Sequence, residues 1–177
     1  PLSWDKGTTP EPINWYAGKQ YDDCMGAAHD VLKNFDKEFP HWKGRGYVIE
    51  GFAWWQGDKD RYVEAHAVNY EKNLVRLIKT LRAEFKAPGA GFVVATLGQT
   101  SKQAEPGNDK LILDAQLAVD GSTGKYPEFK GNVSTVYTHP LSQGGASNSH
   151  YNGNAQTYMD VGLAMGEAML ELLKNKD

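Results

Sequence analysis

Apolar and polar positions fall in blocks along this chain, and the period of the blocks changes from one to the next. Tyr47-Val48-Ile49-Glu50-Gly51-Phe52-Ala53-Trp54-Trp55 is a mostly apolar run that stops at the polar cluster Gln56-Gly57-Asp58-Lys59-Asp60. A long amphipathic pattern follows. The change predicts a buried strand over about residues 47 to 55, delivering side chains to a sheet edge and handing over to a helix. That helix is predicted over residues 61 to 86, with Tyr70, Leu74, Leu77, Ile78, Leu81 and Phe85 as its apolar stripe and Pro88-Gly89 as its stop. Gly91 to Leu97 is a short continuous apolar run bounded by glycines, which predicts a buried, parallel strand.

The same reading extends to both ends. Residues 18 to 39 predict a helix with Tyr21, Met25, Ala28, Val31, Leu32 and Phe35 on one face, stopped by Pro40. Asn108 is placed to cap a helix running to about Val119, and residues 132 to 138 predict a third strand. Residues 153 to 174 predict a final helix that is apolar around much of its circumference and is therefore expected to be well buried. Residues 1 to 17, with Pro1, Pro10 and Pro12, read as a Pro-rich arm or loop. Helices and strands alternate throughout, which implies an α/β fold with a parallel sheet and helices on both faces.

Composition narrows the function classes. With 177 residues the chain suits one domain of ordinary size. The net charge of −3 and the lack of a basic block give no footprint for a nucleic-acid partner. No apolar run approaches the ~18 residues that suggest a membrane span, so no membrane partner is expected. A single cysteine, Cys24, excludes an intrachain disulfide and any multi-cysteine metal site. It falls in a helical pattern and reads as a small core residue.

Ligands of open α/β sheets bind outside the carboxyl ends of the strands. Gln56, Gly57, Asp58 and Asp60 are expected there, with Trp54 and Trp55 adding flat apolar surface. Of the five histidines, His29, His41, His66 and His139 read as structural or solvated. His150 lies in Ser147-Asn148-Ser149-His150-Tyr151-Asn152-Gly153, just before the last helix, where a histidine can shuttle protons. A cation held by Asp58, Asp60 and His150 is a weaker alternative, because hard cations want ~6 oxygen ligands and zinc more nitrogen or sulfur. No metal or other cofactor is expected.

The block Trp54-Trp55-Gln56-Gly57-Asp58-Lys59-Asp60, combined with His150-Tyr151-Asn152 opening the last helix, resembles the carbohydrate esterases of the sialate O-acetylesterase and acetyl xylan esterase type. These belong to the SGNH-hydrolase group, and the resemblance covers most of the chain after residue 18. It implies a flavodoxin-like three-layer sandwich. It also implies removal of O-acetyl groups from sugars by a serine nucleophile, a histidine base and an orienting acid. Carried over, His150 is the base, Gln56 with Gly57 belongs to the oxyanion hole, and Trp54, Trp55, Tyr151 and Asn152 form the sugar-facing wall. The acid is either Asp58 or Asp60, since the position three residues before the histidine, aspartate in many relatives, is Ser147 here.

The family's Gly-x-Ser block, expected well upstream of the Trp-Gln-Gly block, has no counterpart in residues 1 to 46, where Ser3 is the only serine. The expectation is therefore a C-terminal portion, residues 18 to 177, of a larger hydrolase domain, lacking its first strand or strands. An N-terminal segment or a second chain would complete the sheet. A non-catalytic carbohydrate-binding or scaffold domain with the same fold is the alternative. An exported or periplasmic location rests on the resemblance alone.

Overall fold

The computed structural model describes residue 16 and residues 18–143 and 150–174. All of the Pro-rich arm except Tyr16 thus lies outside the described residues. The chain divides into two compact units, Pro1–Val48 and Ile49–Asp177.

The first unit holds helices α1 (Lys19–Lys33) and α2 (Phe35–Glu38), followed by a 3-10 turn at Pro40–Trp42. One helix was expected over residues 18 to 39, and Asn34 divides it. The Asn34 amide donates to the backbone oxygen of Asp30 at 2.9 Å and to its carboxylate at 3.0 Å, so the side chain competes with continued helix. No residue of α1 is buried. Cys24 is free and exposed rather than in a core, because it lies off the face carrying Tyr21, Met25 and Ala28.

The second unit is built on strands β1 (Gly51–Trp54), β2 (Gly91–Ala95) and β3 (Val133–Val136), adjacent in that order and all parallel. Phe52 is opposite Phe92, and Phe92 opposite Val133. The strand expected from Tyr47 begins only at Gly51. Its pairing opens with Gly91 N–H donating to Glu50 O at 2.9 Å, and before Gly91 the neighbouring chain is turning through Pro88-Gly89. The helix expected over 61 to 86 is a 3-10 turn at Asp60–Tyr62, a short α3 (Glu64–Ala67) and the long α4 (Tyr70–Glu84). Val63 is extended, with φ −129° and ψ 114°, which breaks the first part. The apolar stripe starts where α4 starts, and Tyr70, Leu74, Ile78 and Leu81 are buried.

Helices α5 (Asn108–Ala118) and α6 (Ala155–Lys174) complete the unit. Gly107, not Asn108, caps α5, and no side chain caps it. Successive strand residues point to opposite faces. Phe52 meets Phe92 and Phe85, so the end of α4 covers one face, with α5 packed beside α4. Gly51 and Gly91 face the other way, onto α6. A Cβ on Gly51 would come within 2.5 Å of Met169 Cε, so the helix can approach only because both strands carry glycine there. The result is a flavodoxin-like three-layer α/β sandwich with its core on β2, where Phe92, Val93, Val94 and Ala95 are 0% exposed. The expectation for α6 is corrected. Only Thr157, Val161 and Leu172 are buried, while Met159, Leu163 and Leu170 are 61%, 62% and 58% exposed. The helix lays one face on β2 and β3 and turns an apolar stripe outward.

Candidate active site

Parallel strands bring all three carboxyl ends to one edge of the sheet. Three loops meet there: residues 55–60, 96–99 and 137–142. The turn His150–Gly153 joins them.

Gln56 is held from three sides. Its backbone oxygen accepts from the Tyr70 hydroxyl at 2.7 Å and from Gln116 Nε2 at 2.9 Å. Its own Nε2 donates to Asp60 Oδ2 at 2.7 Å. Gln116 is wholly buried, and its Oε1 accepts from Leu97 N–H at 3.1 Å, so one amide ties the end of β2 to the loop after β1. Gly57 has φ +140°, and an added Cβ would meet Ile112 Cγ2 at 3.1 Å, Gln116 Nε2 at 3.3 Å and the Tyr70 hydroxyl at 3.3 Å. Only glycine suits that backbone, which accounts for the Gln-Gly pair. Burial pushes the Tyr70 hydroxyl pKa up, so it stays a donor through the neutral range.

Asp58 points elsewhere. Its Oδ1 accepts from Arg61 Nε at 2.8 Å and Gln99 Nε2 at 3.2 Å. Arg61 also reaches Asp109 at 3.2 Å and donates to the Tyr62 hydroxyl at 2.8 Å. Burial alone would lower the Arg61 pKa, but Asp58 and Asp109 outweigh it and the guanidinium is held above its ordinary value.

Trp55 anchors the other side. Its indole N–H donates to Thr96 O at 3.1 Å. Its ring stacks on Tyr151, with centroids 5.7 Å apart and 20° between planes, and is tilted against Tyr158 at 5.5 Å. The Tyr151 hydroxyl accepts from Gly98 N–H at 3.1 Å. Burial, and to a smaller extent the charge of Asp58, push the Tyr151 pKa up. Trp54 is half-buried and Asn152 exposed.

His150, Tyr151, Asn152 and Gly153 have φ of 49°, 54°, 52° and 66°, one left-handed turn. Non-glycine residues pay roughly 1–2 kcal/mol each for that conformation. The Tyr151 stacking and the Tyr158 hydroxyl, which donates to His150 O at 3.0 Å, hold it. Strain of this sort concentrates at functional sites. Among the described residues the His150 ring makes no hydrogen bond, to Asp58, Asp60 or any serine. Ser147, three residues before it, lies outside the described residues. No group of three His, Cys, Asp or Glu side chains among the described residues is placed to hold a metal ion.

The structure therefore brings Gln56, Gly57, Asp58 and Asp60 into one loop and joins Trp55 to Tyr151. Sequence reasoning gave no site role to Gln116, Tyr70, Arg61, Gln99 or Tyr158. Gln116 left a signal: it is the polar residue on the buried face of α5 that also carries Ile112, Leu113 and Ala115. His139 was read as structural or solvated. Its Nδ1 lies 2.7 Å from Gly98 O, which must accept from it, so the proton is on Nδ1 and Nε2 is directed elsewhere.

A parallel-stranded sandwich with its polar loops gathered at the carboxyl edge is an α/β protein of the class whose ligands bind at that edge. The family model described as carbohydrate esterase, sialic acid-specific acetylesterase, matches residues 3–171, and the chain belongs to that family. A solved protein from Arabidopsis thaliana is similar over 81% of this chain and 51% of its own, with TM-score 0.55 and 21% identity, a likeness of fold. The chain thus spans about half the length of that solved protein. No curated protein matches it.

Proposed function

We propose that the protein removes O-acetyl groups from carbohydrate and that Gln56 supplies a donor to the oxyanion. The observation that carries this reading is the hold on Gln56. An amide nitrogen has two hydrogens. One is committed to Asp60 Oδ2, and the other has no partner among the described residues. Tyr70 and Gln116 fix the backbone behind it. A donor held in place before the reaction is what an oxyanion hole requires, because nothing then reorganises as charge develops on the ester oxygen.

The remaining roles follow from the neighbours. His150 takes the proton of the attacking serine. Asp58 is the carboxylate for His150. Its charge is felt at Tyr151, next in the chain, and its Oδ2 is unclaimed among the described residues. Asp60 acts on Gln56 instead, and its charge is felt at Tyr70. Trp54, Trp55, Tyr151 and Asn152 form the sugar wall. Ser142 is a poor nucleophile, since its hydroxyl donates to Thr138 O at 2.9 Å. We infer that the serine comes from an N-terminal segment or second chain that adds to the outer side of β1.

The test is acetate release from an O-acetylated sugar, by the chain alone and after addition of a polypeptide carrying the family's serine block. Activity is expected only in the completed protein. In that protein Gln56→Ala should lower kcat by ~10²–10³ with little change in KM. The second reading, a non-catalytic glycan-binding domain, is favoured by the His150 ring having no hydrogen-bonded carboxylate or serine among the described residues. Saturable glycan binding with no acetate release from the completed protein would decide for it.

A further inference from the structure

We propose that the groove between the C-terminal half of α4 and the turn before β3 is a binding site for an oxyanion, a carboxylate or phosphate carried on a small organic body. This site is independent of the esterase reading and lies at the opposite edge of the sheet. Arg82, at its centre, donates to the backbone oxygens of Ala90 and Asn132, the residues just before β2 and β3. Gln56 and Gly98 follow the carboxyl ends of β1 and β2.

Arg82 is only 8% exposed. Nε and Nη2 bond to Ala90 O at 3.0 and 2.8 Å, and Nη2 also reaches Asn132 O at 2.9 Å and Asn132 Oδ1 at 2.7 Å. These bonds satisfy two nitrogens and fix the guanidinium rigidly. They do not neutralise it. Nη1 makes no hydrogen bond among the described residues and is not sealed from solvent. No carboxylate among the described residues offsets the charge, and burial alone sets the direction of the Arg82 pKa, which is down. A cation taken out of water without a counter-charge is costly, and an anion arriving at Nη1 would recover part of that cost.

The surroundings suit such a ligand. The groove is about 540 Å³ and is lined by Lys79, Arg82, Lys86, Pro88, Glu128 and Phe129. That is within the range of small-molecule sites. Lys79 and Glu128 pair at 2.7 Å and balance each other. Arg82 and Lys86 are left as two positive charges without an ion pair among the described residues. Phe129 is fully buried beneath, with its ring centroid 5.9 Å from Arg82 Cζ and 6.0 Å from Lys79 Nζ, and the exposed Pro88 offers apolar surface to the rest of the ligand. A fixed guanidinium binds carboxylate or phosphate with little ordering of its own on arrival, and the exposed Lys86 ammonium adds a second positive charge on the same groove.

The experiment titrates the isotopically labelled chain of residues 1–177 with inorganic phosphate and, separately, with glucuronate, at constant ionic strength. The Arg82 Nε–H and Lys86 amide resonances report. Saturable shifts at both, with the Gly57 and Gly98 amides unmoved, are expected. A response to phosphate alone assigns a phosphoryl ligand, to glucuronate alone a carboxylate, and to both an oxyanion site of broad acceptance; each supports the proposal. Lys86→Gln should weaken binding about five-fold, the loss expected with one exposed ion pair, and leave the thermal midpoint unchanged. Shifts that rise linearly without saturating, or that centre on Gly98, or an affinity unchanged in Lys86→Gln, would overturn it.

Discussion

Replacing Gln116 with methionine isolates the bond that ties β2 to the Gln56 loop. Methionine keeps the length of the side chain and removes both polar atoms. Three bonds disappear; the one to the Tyr70 hydroxyl is long, at 3.4 Å, and the other two are not equivalent. Leu97 N–H loses its acceptor at a position only 7% exposed, and an orphaned buried donor costs ~1–3 kcal/mol. Gln56 O also loses a donor but keeps the Tyr70 hydroxyl, so that bond counts only for its net worth, ~0.5–1.5 kcal/mol. The apolar replacement returns part of this, which leaves an expected destabilisation of about 1–3 kcal/mol. Tyr70→Phe should cost less, about 1 kcal/mol, because Gln116 remains on the same oxygen. The double variant leaves Gln56 O with neither donor, so its loss should exceed the sum of the singles by ~0.5 kcal/mol or more. Urea unfolding of the three variants measures this, provided the slope with denaturant is unchanged. Additive losses, or a Gln116→Met loss below ~0.5 kcal/mol, would show that the shared oxygen is not what these side chains hold.

Gly98→Ala should destabilise by ~1–3 kcal/mol or more, because its Cβ would fall 1.6 Å from Ser142 Oγ and 2.6 Å from Ser142 Cβ; calorimetry should find most of the loss recovered when Ser142→Gly is added. The Tyr126 hydroxyl is pushed up to about 12, by burial first and then by its bond to Glu71. A raised pKa contributes stability below the unfolded value and loses it as pH climbs through the folded one, so unfolding free energy should fall from about pH 10 to 12, and Tyr126→Phe should flatten that fall. The chain alone should self-associate at low micromolar concentration through the outer side of β1 and the exposed Met159, Leu163 and Leu170, as read by sedimentation; a compact monomer with every amide of residues 47 to 55 protected from hydrogen exchange would refute this.

Periodicity located the elements because the forces behind it are local. The α4 stripe of Tyr70, Leu74, Ile78 and Leu81 recurs at helical spacing, and all four are buried. The run Gly91 to Ala95 is apolar throughout, and it is the central strand, covered on both sides. What periodicity could not supply was sidedness. An apolar pattern around α6 says that burial would be favourable, not that a partner is there to provide it, and Met159, Leu163 and Leu170 are left facing out. The same limit applies to β1. Its apolar run is legible, but where its pairing starts depends on where the neighbouring chain finishes turning at Pro88-Gly89.

The site divides in a similar way. Residues fixed by their own backbone can be read from the chain: Gly57, because φ +140° excludes a side chain, and Gln56, because it travels with that glycine. Residues that act across the fold cannot. Gln116 is 60 positions from Gln56, and only the packing of α5 against α4 brings its amide to that oxygen. The choice between Asp58 and Asp60 was open for the same reason, since two carboxylates on one short loop are chemically alike. Their neighbours separate them. Arg61 and Gln99 turn Asp58 toward the β2 loop and Tyr151, whereas the Gln56 amide draws Asp60 toward Tyr70. On the proposed reading, then, one carboxylate serves the histidine and the other the oxyanion donor, and the difference between them is made by Arg61, a residue with no part in the chemistry itself.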